Sequence, residues 1–341
     1  MKKLLIVGSN SIHVYNYIEL IKGYFDEVLL ITSKRNPAYK VNSIEVNFHL
    51  GLNVFSSIHK IQKIIQDYRP SVVHIHQANS YAFITLLALR KFKIPSLLSA
   101  WGSDVLHTPK RHFLLRKMLH YNLNHVTMAT SDSLFMANEM KSYNPQLEII
   151  LASFGINKPM QTVEKEHIIY SNRLHNSLYN IEKVINAFYQ FSKNHTEWKL
   201  VIGAIGQETE MLKEQVKHLG LEKRVEFIGW VDREINEMMY LKAKIFISIP
   251  SSDATAISLL EAIAANCICF VSNLPANCEH ILDGINGFIE TDLDKIHLEK
   301  YAHIDVNVLH QVNSIRMQYY LKSYNKKRFI EAYETLLERK Q

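Results

Sequence analysis

The chain has 341 residues, 47% of them hydrophobic and 21% charged, with a formal net charge of +6. That composition excludes a disordered chain, and the length points to two domains rather than one. The charge is too modest for a dedicated nucleic-acid binder and suits a phosphorylated ligand or an anionic surface. Cys267, Cys269 and Cys278 are an odd, closely spaced set, which argues against a secreted disulfide framework and for a cytoplasmic protein. The opening MKKLLIVGSNSIHVYNYI has only LLIV as an apolar run before Gly8, so it is read as a buried strand and not as a signal peptide. No uncharged apolar stretch reaches the roughly 18 residues a bilayer span needs, so membrane contact is expected to be peripheral.

Short runs of Val, Ile and Leu alternate with helical patterns, the signature of repeated strand–helix–strand units around a parallel sheet. In the first half they are LLIV (4–7), VLLIT (28–32), VVHIH (72–76), SLLSA (96–100), VTMAT (126–130) and EIILA (148–152). In the second they are HIIYS (167–171), KLVIG (199–203), VEFIG (225–229), KIFISI (244–249) and ICFVS (268–272). The polar stretch FGINKPMQTVEKEH between them contains Pro159 and reads as the linker. The expected fold is α/β, with two Rossmann-like domains, 1–160 and 161–322, whose parallel sheets face across a cleft. Ligands of open α/β sheets sit beyond the carboxyl ends of the strands, so functional residues are sought just after each run.

After KIFISIP comes SSDATAISLLEAIAANC, with Asp253 and Glu261 separated by seven residues. Helical periodicity from Ala254 onward makes Ser252 or Asp253 the expected cap. Eight residues of helix rise about 12 Å, so the two acids cannot share one proton or one metal and must touch different parts of a long ligand. A nucleotide sugar has that length, with its diphosphate near the backbone of Ala254 and Thr255 at the helix N-terminus. An N-cap Asp and a half-exposed Glu on an ordinary helix are the plainer alternative.

The same stretch resembles the acidic motif of family 4 glycosyltransferases of the GT-B fold, usually two glutamates with seven residues between. Asp253 stands in place of the first. Further matches follow in the family's order: Arg173 with Leu174, GAIGQETEML, FIGWV, SNLPANCEHI and DGINGFI. In the first half, VVHIHQANSYAFITLLALRKFKIPSLLSAWGSDVL is similar to a subgroup carrying WGSD, and TMATSDSLFMANEM followed by SFGIN resembles the serine strand and domain exit. The resemblance implies retaining transfer of a sugar from a nucleotide-diphosphate donor, with UDP favoured, to a saccharide or lipid-linked acceptor. It implies that Glu261 holds the donor ribose, that Asp253 lies by the donor sugar and that Arg173 neutralises the diphosphate. It implies no metal and no cofactor besides the donor, and a terminal helix over 323–341 crossing back onto the first domain.

Gly203 and Gly206 form a lone G-x-x-G after a strand, a weak phosphate signal that a plain tight turn explains equally well. Gly8 and Ser9, with Asn10 and Ser11, follow the first strand and could offer N–H groups to the diphosphate, and His13, two residues on, could reach the same cleft. His74 and His76 share one face of a strand without a third ligand at metal spacing, so His76 is read as a cleft residue and His74 as buried. The segment KRHFLLRKMLH, 110–120, is a basic amphipathic pattern suited to an anionic membrane or to an ordinary solvated helix.

Two positions depart from the family pattern. Where relatives carry a Lys after the Arg, RLHNSLYNIEKVI has Leu178 and Tyr179, leaving His175 or another group to compensate. Where many relatives have a His near the reacting sugar there is Trp101, able to stack on a sugar face or pack in the core, and Asp104 is the nearest acid left for an acceptor hydroxyl. A nucleotide-sugar epimerase or a non-catalytic nucleotide-sugar-binding relative are the rival readings.

Overall fold

A computed structural model describes residues 1–158 and 163–339. Pro159 and the expected boundary at 160/161 lie outside these residues. The chain divides into two compact units: Met1–Gly155 together with the segment from Lys322 onward, and Ile156–Leu321.

The first unit is built on a wholly parallel sheet of β1 (Lys3–Val7), β2 (Glu27–Thr32), β3 (Ser43–Glu45), β4 (Val72–His76), β5 (Ser96–Ser99), β6 (Met128–Ser131) and β7 (Ile149–Leu151). Their order is β3-β2-β1-β4-β5-β6-β7. β4 is buried at every position, as a strand covered on both faces must be. One face packs Ile61, Leu86, Leu123 and Met140 from the helices between strands. The other face receives Val14 and Tyr17 from the helix Ile12–Leu20, and Phe329, Ala332, Tyr333 and Leu336 from the last helix, Lys322–Glu338. Full burial of a side chain such as Phe329 is worth about 1.5–3 kcal/mol. The Tyr333 hydroxyl lies 2.7 Å from the Tyr17 hydroxyl and 2.7 Å from His74 Nδ1, tying the last helix to the first and to β4.

The second unit repeats the design with β8 (Glu166–Ser171), β9 (Lys199–Gly203), β10 (Val225–Gly229), β11 (Ala243–Ser248), β12 (Ile268–Ser272) and β13 (Gly287–Glu290). The order is β10-β9-β8-β11-β12-β13, again all parallel. Phe188, Phe191 and Trp198 fill one face, and Leu259, Leu260, Ile263 and Tyr240 the other. In each sheet the strand order reverses once, between β1 and β4 and between β8 and β11. Loops leaving those four strands diverge, which opens a crevice at the carboxyl edge.

Two expectations are corrected. The helix after β11 runs only over Ile257–Ala264, and its N-cap Ala256 makes no side-chain bond, so neither Ser252 nor Asp253 caps it. Ala254, Thr255 and Ala256 are instead buried in the loop, and a continuous helical rise between Asp253 and Glu261 does not apply. The stretch 110–120 is likewise two helices, Thr108–Arg111 and Phe113–His125, because the His112 ring caps the second by accepting from the Leu114 N–H. No described helix is long and apolar enough to cross a membrane.

Candidate functional site

The loops at the β8/β11 crevice bring together the acid and the guanidinium singled out in the sequence. Arg173, two residues beyond β8, donates from one terminal nitrogen to Asp253 Oδ2 at 2.5 Å and from the other to Ser258 Oγ at 2.9 Å. Its guanidinium carbon lies 4.4 Å from the centre of the Tyr179 ring, a cation–π contact that fixes the plane of the fork. Ser258 belongs to the first turn of the Ile257–Ala264 helix, so Arg173 stands where that helix begins. The side chains of Arg173 and Asp253 keep 11% and 23% of their exposure, so the pair is held in the loop cluster yet remains reachable from solvent.

Glu261, one turn further along the helix, is half buried. Its charge adds to the effect of burial in raising the Tyr170 and Tyr240 phenols. It lines a small, partly open pocket with Asn157, Arg233, Glu237, Tyr240 and Ala264. Asn172, next to Arg173, donates to the Tyr240 hydroxyl at 2.7 Å and to Asn236 Oδ1 at 2.9 Å, joining the β8 loop to the helix Arg233–Lys242.

The remaining donor-side expectations fare differently. Gly206 donates its N–H to Thr209 Oγ1 at 2.9 Å, so that group is not offered to a phosphate. Its role is steric: a Cβ there would lie 2.2 Å from the His175 carbonyl oxygen. Gly206→Ala is therefore expected to cost about 1–3 kcal/mol, read as a lower urea midpoint, with no change for Gly203→Ala of the same size. A Cβ on Gly203 would meet only the Tyr170 hydroxyl tightly, at 3.1 Å. The Ala254 N–H is taken by Asp253 Oδ1 at 3.0 Å, and the Thr255 hydroxyl lies 3.3 Å from His280 Nε2. His175 supplies no cation in place of the missing Lys. It is buried, its Nδ1 is 2.8 Å from Thr209 Oγ1 and its Nε2 3.2 Å from the Gly203 carbonyl, and burial lowers its pKa. Lys183 is paired with Asp294 at 2.9 Å, and Leu178 is partly exposed where relatives place the Lys.

In the first unit the correction is larger. Asp104 is buried, with Oδ2 accepting from the Ala78 N–H at 2.5 Å and Oδ1 from the Trp101 N–H at 2.9 Å. It staples the loop after β4 to the loop after β5, so it does not present a carboxylate to an acceptor. Burial raises its pKa despite those hydrogen bonds. His76 is fully buried, not a cleft residue, and burial with the neighbouring His13 charge pushes it down to about 3. His74 is buried as expected, with Nε2 2.8 Å from Ser99 Oγ. Gly8 donates to the Ile31 carbonyl at 3.0 Å, and a Cβ on it would approach Val14 Cγ2 to 2.8 Å, so it too serves packing. Ser9 is half buried beside it. His13 is exposed at the start of its helix, its ring stacked on Phe154 at 5.5 Å and edge-on to Trp101 at 5.5 Å. Trp101 is half buried against the core containing Tyr17. His13, Trp101 and Phe154 form one aromatic cluster at the carboxyl edge of the first sheet. Among the described residues no three His, Cys, Asp or Glu side chains gather as a metal site.

Sequence reasoning missed Ser258, Tyr179 and Trp230. Ser258 looked like a polar residue on a helix, and Tyr179 was noted only for what it was not. Trp230 is 70% exposed on the loop after β10. An exposed Trp after FIG is a signal that could have been weighed, since large exposed aromatics mark binding surfaces.

Residues 156–302 match the family model described as Glycosyl transferases group 1, and residues 2–133 match the one described as Glycosyl transferase 4-like. Both halves of the chain therefore carry glycosyltransferase-family domains. The alpha-monoglucosyldiacylglycerol synthase of Streptococcus pneumoniae is 31% identical over 86 residues, which is 25% of this chain and 20% of that protein. The match thus spans about one fifth of the curated relative's length. Among solved structures, HepE of Anabaena in complex with UDP superposes with a TM-score of 0.81 at 13% identity, covering 98% of this chain and 100% of that one. Sucrose-phosphate synthase of Thermosynechococcus elongatus gives 0.80 at 13% identity over 99% and 100%. The two glycosyltransferase-family domains thus have the GT-B fold, each with its own parallel sheet.

Proposed function

We propose that this glycosyltransferase-family chain moves a sugar from a UDP-sugar to a hydroxyl of a saccharide or lipid-linked acceptor, with retention, in glycan or surface-polysaccharide assembly on the cytoplasmic side of a membrane. The observation that carries this reading is the Arg173 guanidinium at the β8/β11 crevice, with Asp253 against it and Glu261 one turn below Ser258. A guanidinium fork suits phosphate oxygens, and its charge falls where a diphosphate leaving group develops negative charge. Asp253 binds hydroxyls of the donor sugar and Glu261 the ribose; the leaving phosphate takes the acceptor proton. HepE, solved with UDP and with UDP-glucose, supports the choice of base. The lipid product named for the pneumococcal relative supports a lipid-linked acceptor. Exposed Phe113 and Leu114, flanked by exposed Lys110, Arg111, Arg116 and Lys117, form the surface by which the first unit rests on anionic lipid.

A thermal-shift panel of UDP, GDP, ADP and their sugars tests the donor. A ligand at a hundred times its dissociation constant stabilises the folded state by about 2.7 kcal/mol. Glu261→Ala is expected to abolish the shift given by UDP while leaving the unliganded melting point nearly unchanged; an equal shift in the variant removes Glu261 from the site.

A second reading, a nucleotide-sugar-binding relative without turnover, is favoured by one observation. Neither His175 nor Lys183 replaces the missing Lys beside Arg173, which weakens stabilisation of a departing diphosphate. Nucleotide binding without transfer from any donor sugar would select that reading.

A further inference from the structure

We infer that Asp253 occupies, in the free protein, the place on Arg173 that the donor's diphosphate takes, so that donor binding is an exchange of one anion for another. The inference rests on the nucleotide-sugar reading above and adds to it the state from which binding starts. Its basis is the distribution of partners around one guanidinium. Ser258 Oγ accepts at 2.9 Å from one terminal nitrogen, and the Tyr179 ring covers one face of the plane at 4.4 Å. These two contacts are neutral and hold the group in position. The other terminal nitrogen is spent on Asp253 at 2.5 Å. A carboxylate oxygen and a phosphate oxygen suit the same guanidinium nitrogen, so Asp253 Oδ2 and the phosphate compete for it, while Oδ1 keeps the Ala254 N–H. Leu178 stands at position 178, and Lys183 and His175 are engaged by Asp294 and by Thr209, so neither of those two takes the diphosphate while Asp253 stays.

The exchange has a chemical consequence. Asp253 released from Arg173 becomes a free acceptor of hydrogen bonds beside the phosphate, where a sugar hydroxyl can reach it. A nucleoside diphosphate alone frees the carboxylate and gives it no partner, whereas a nucleotide sugar supplies one. Asp253 thus favours the whole donor over its leaving group, and is a specificity-determining residue as well as a sugar contact.

The test measures dissociation constants by calorimetry for uridine, UDP, GDP, ADP and UDP-glucose on the wild-type chain, Asp253→Asn and Asp253→Glu. Asp253→Asn removes the competing charge at nearly constant size. The affinity for the preferred nucleoside diphosphate should rise about three- to tenfold in Asp253→Asn, the worth of a partly exposed ion pair. Binding of the bare nucleoside should not change, and the nucleotide sugar should gain less than the diphosphate. Asp253→Glu, which keeps the charge, should stay within about twofold of wild type for the diphosphate. Equal or weaker diphosphate binding by a folded Asp253→Asn, with the wild type binding normally, overturns the exchange and leaves the donor reading standing. Failure of the wild type to bind any of the three diphosphates overturns both. Melting temperatures of the variants, measured alongside, identify a misfolded protein, in which case the Asp253→Glu comparison with wild type decides: a tenfold tighter diphosphate in that charged variant contradicts the exchange.

Discussion

Arg173→Ala lowers sugar transfer by about 10²- to 10³-fold, the loss seen when one preorganised donor to a developing anion is removed. The expected size reflects that the two nearest candidates to share the charge are engaged elsewhere. His175 is neutral and locked between Thr209 and the Gly203 carbonyl, and Lys183 is held by Asp294. Arg173→Lys keeps the charge and loses the fork and the stacking on Tyr179, so it falls between the two. Steady-state kinetics at saturating acceptor measure the effect, and a loss mainly in kcat assigns Arg173 to the departing diphosphate rather than to uniform donor binding. Stability should change little, by about 1 kcal/mol, because the ion pair with Asp253 is not sealed from water. A variant that transfers at the wild-type rate removes Arg173 from the chemistry.

Acid destabilises the protein steeply below about pH 6.5, the unfolded pKa of histidine. His76 is pushed down to about 3 and His280 to about 4, in both cases first by burial. Buried His74 lies well below its ordinary value for the same reason. Each of these imidazoles is neutral in the folded chain and takes up a proton on unfolding, so the unfolded state binds more protons and stability falls as pH falls. The contribution is fully present above about pH 6.5 and at pH 5 amounts to about 2 kcal/mol lost for each of His76 and His280. Two of the three, His74 and His76, are in the first unit, which should therefore lose about 2 kcal/mol over that interval from His76, with His74 acting in the same direction. Urea unfolding at pH 7.5 and pH 5.0 reads the difference. His76→Leu, which preserves an apolar occupant among Tyr17, Trp101 and Phe154, should reduce that pH dependence by about 2 kcal/mol. An unchanged slope in that variant would mean that His76 is protonated in the folded state.

Much of the fold is legible because both sheets are parallel and covered on both faces, which turns each central strand into an unbroken apolar run. The two strands left unread, β3 and β13, lie at sheet edges and read SIE and GFIE, too short or too polar to stand out. The site was legible where chemistry depends on residue type at the end of a strand: Arg173 and Asp253 stand on loops of adjacent strands, and topology brings them together. It was illegible where a side chain serves backbone distant in sequence. Asp104 looks like a free acid until the Ala78 N–H is found against it. His76 looks accessible because it ends a strand, yet the aromatic rings that close over it come from residues 17, 101 and 154. The cap assigned to Asp253 failed for a related reason. Local sequence offers an acid three residues before an apolar run, and only the folded loop shows a guanidinium outbidding the helix for it.

The last helix has a consequence for biogenesis. Phe329, Ala332, Tyr333 and Leu336 complete the packing over Leu4, Ile6 and Tyr17, yet they emerge from the ribosome only after all of the second unit. For a time on the order of ten seconds at ordinary elongation rates, the nascent first unit carries one uncovered sheet face. The second unit, whose residues are contiguous, can mature first, and the first unit is finished by the helix Lys322–Glu338.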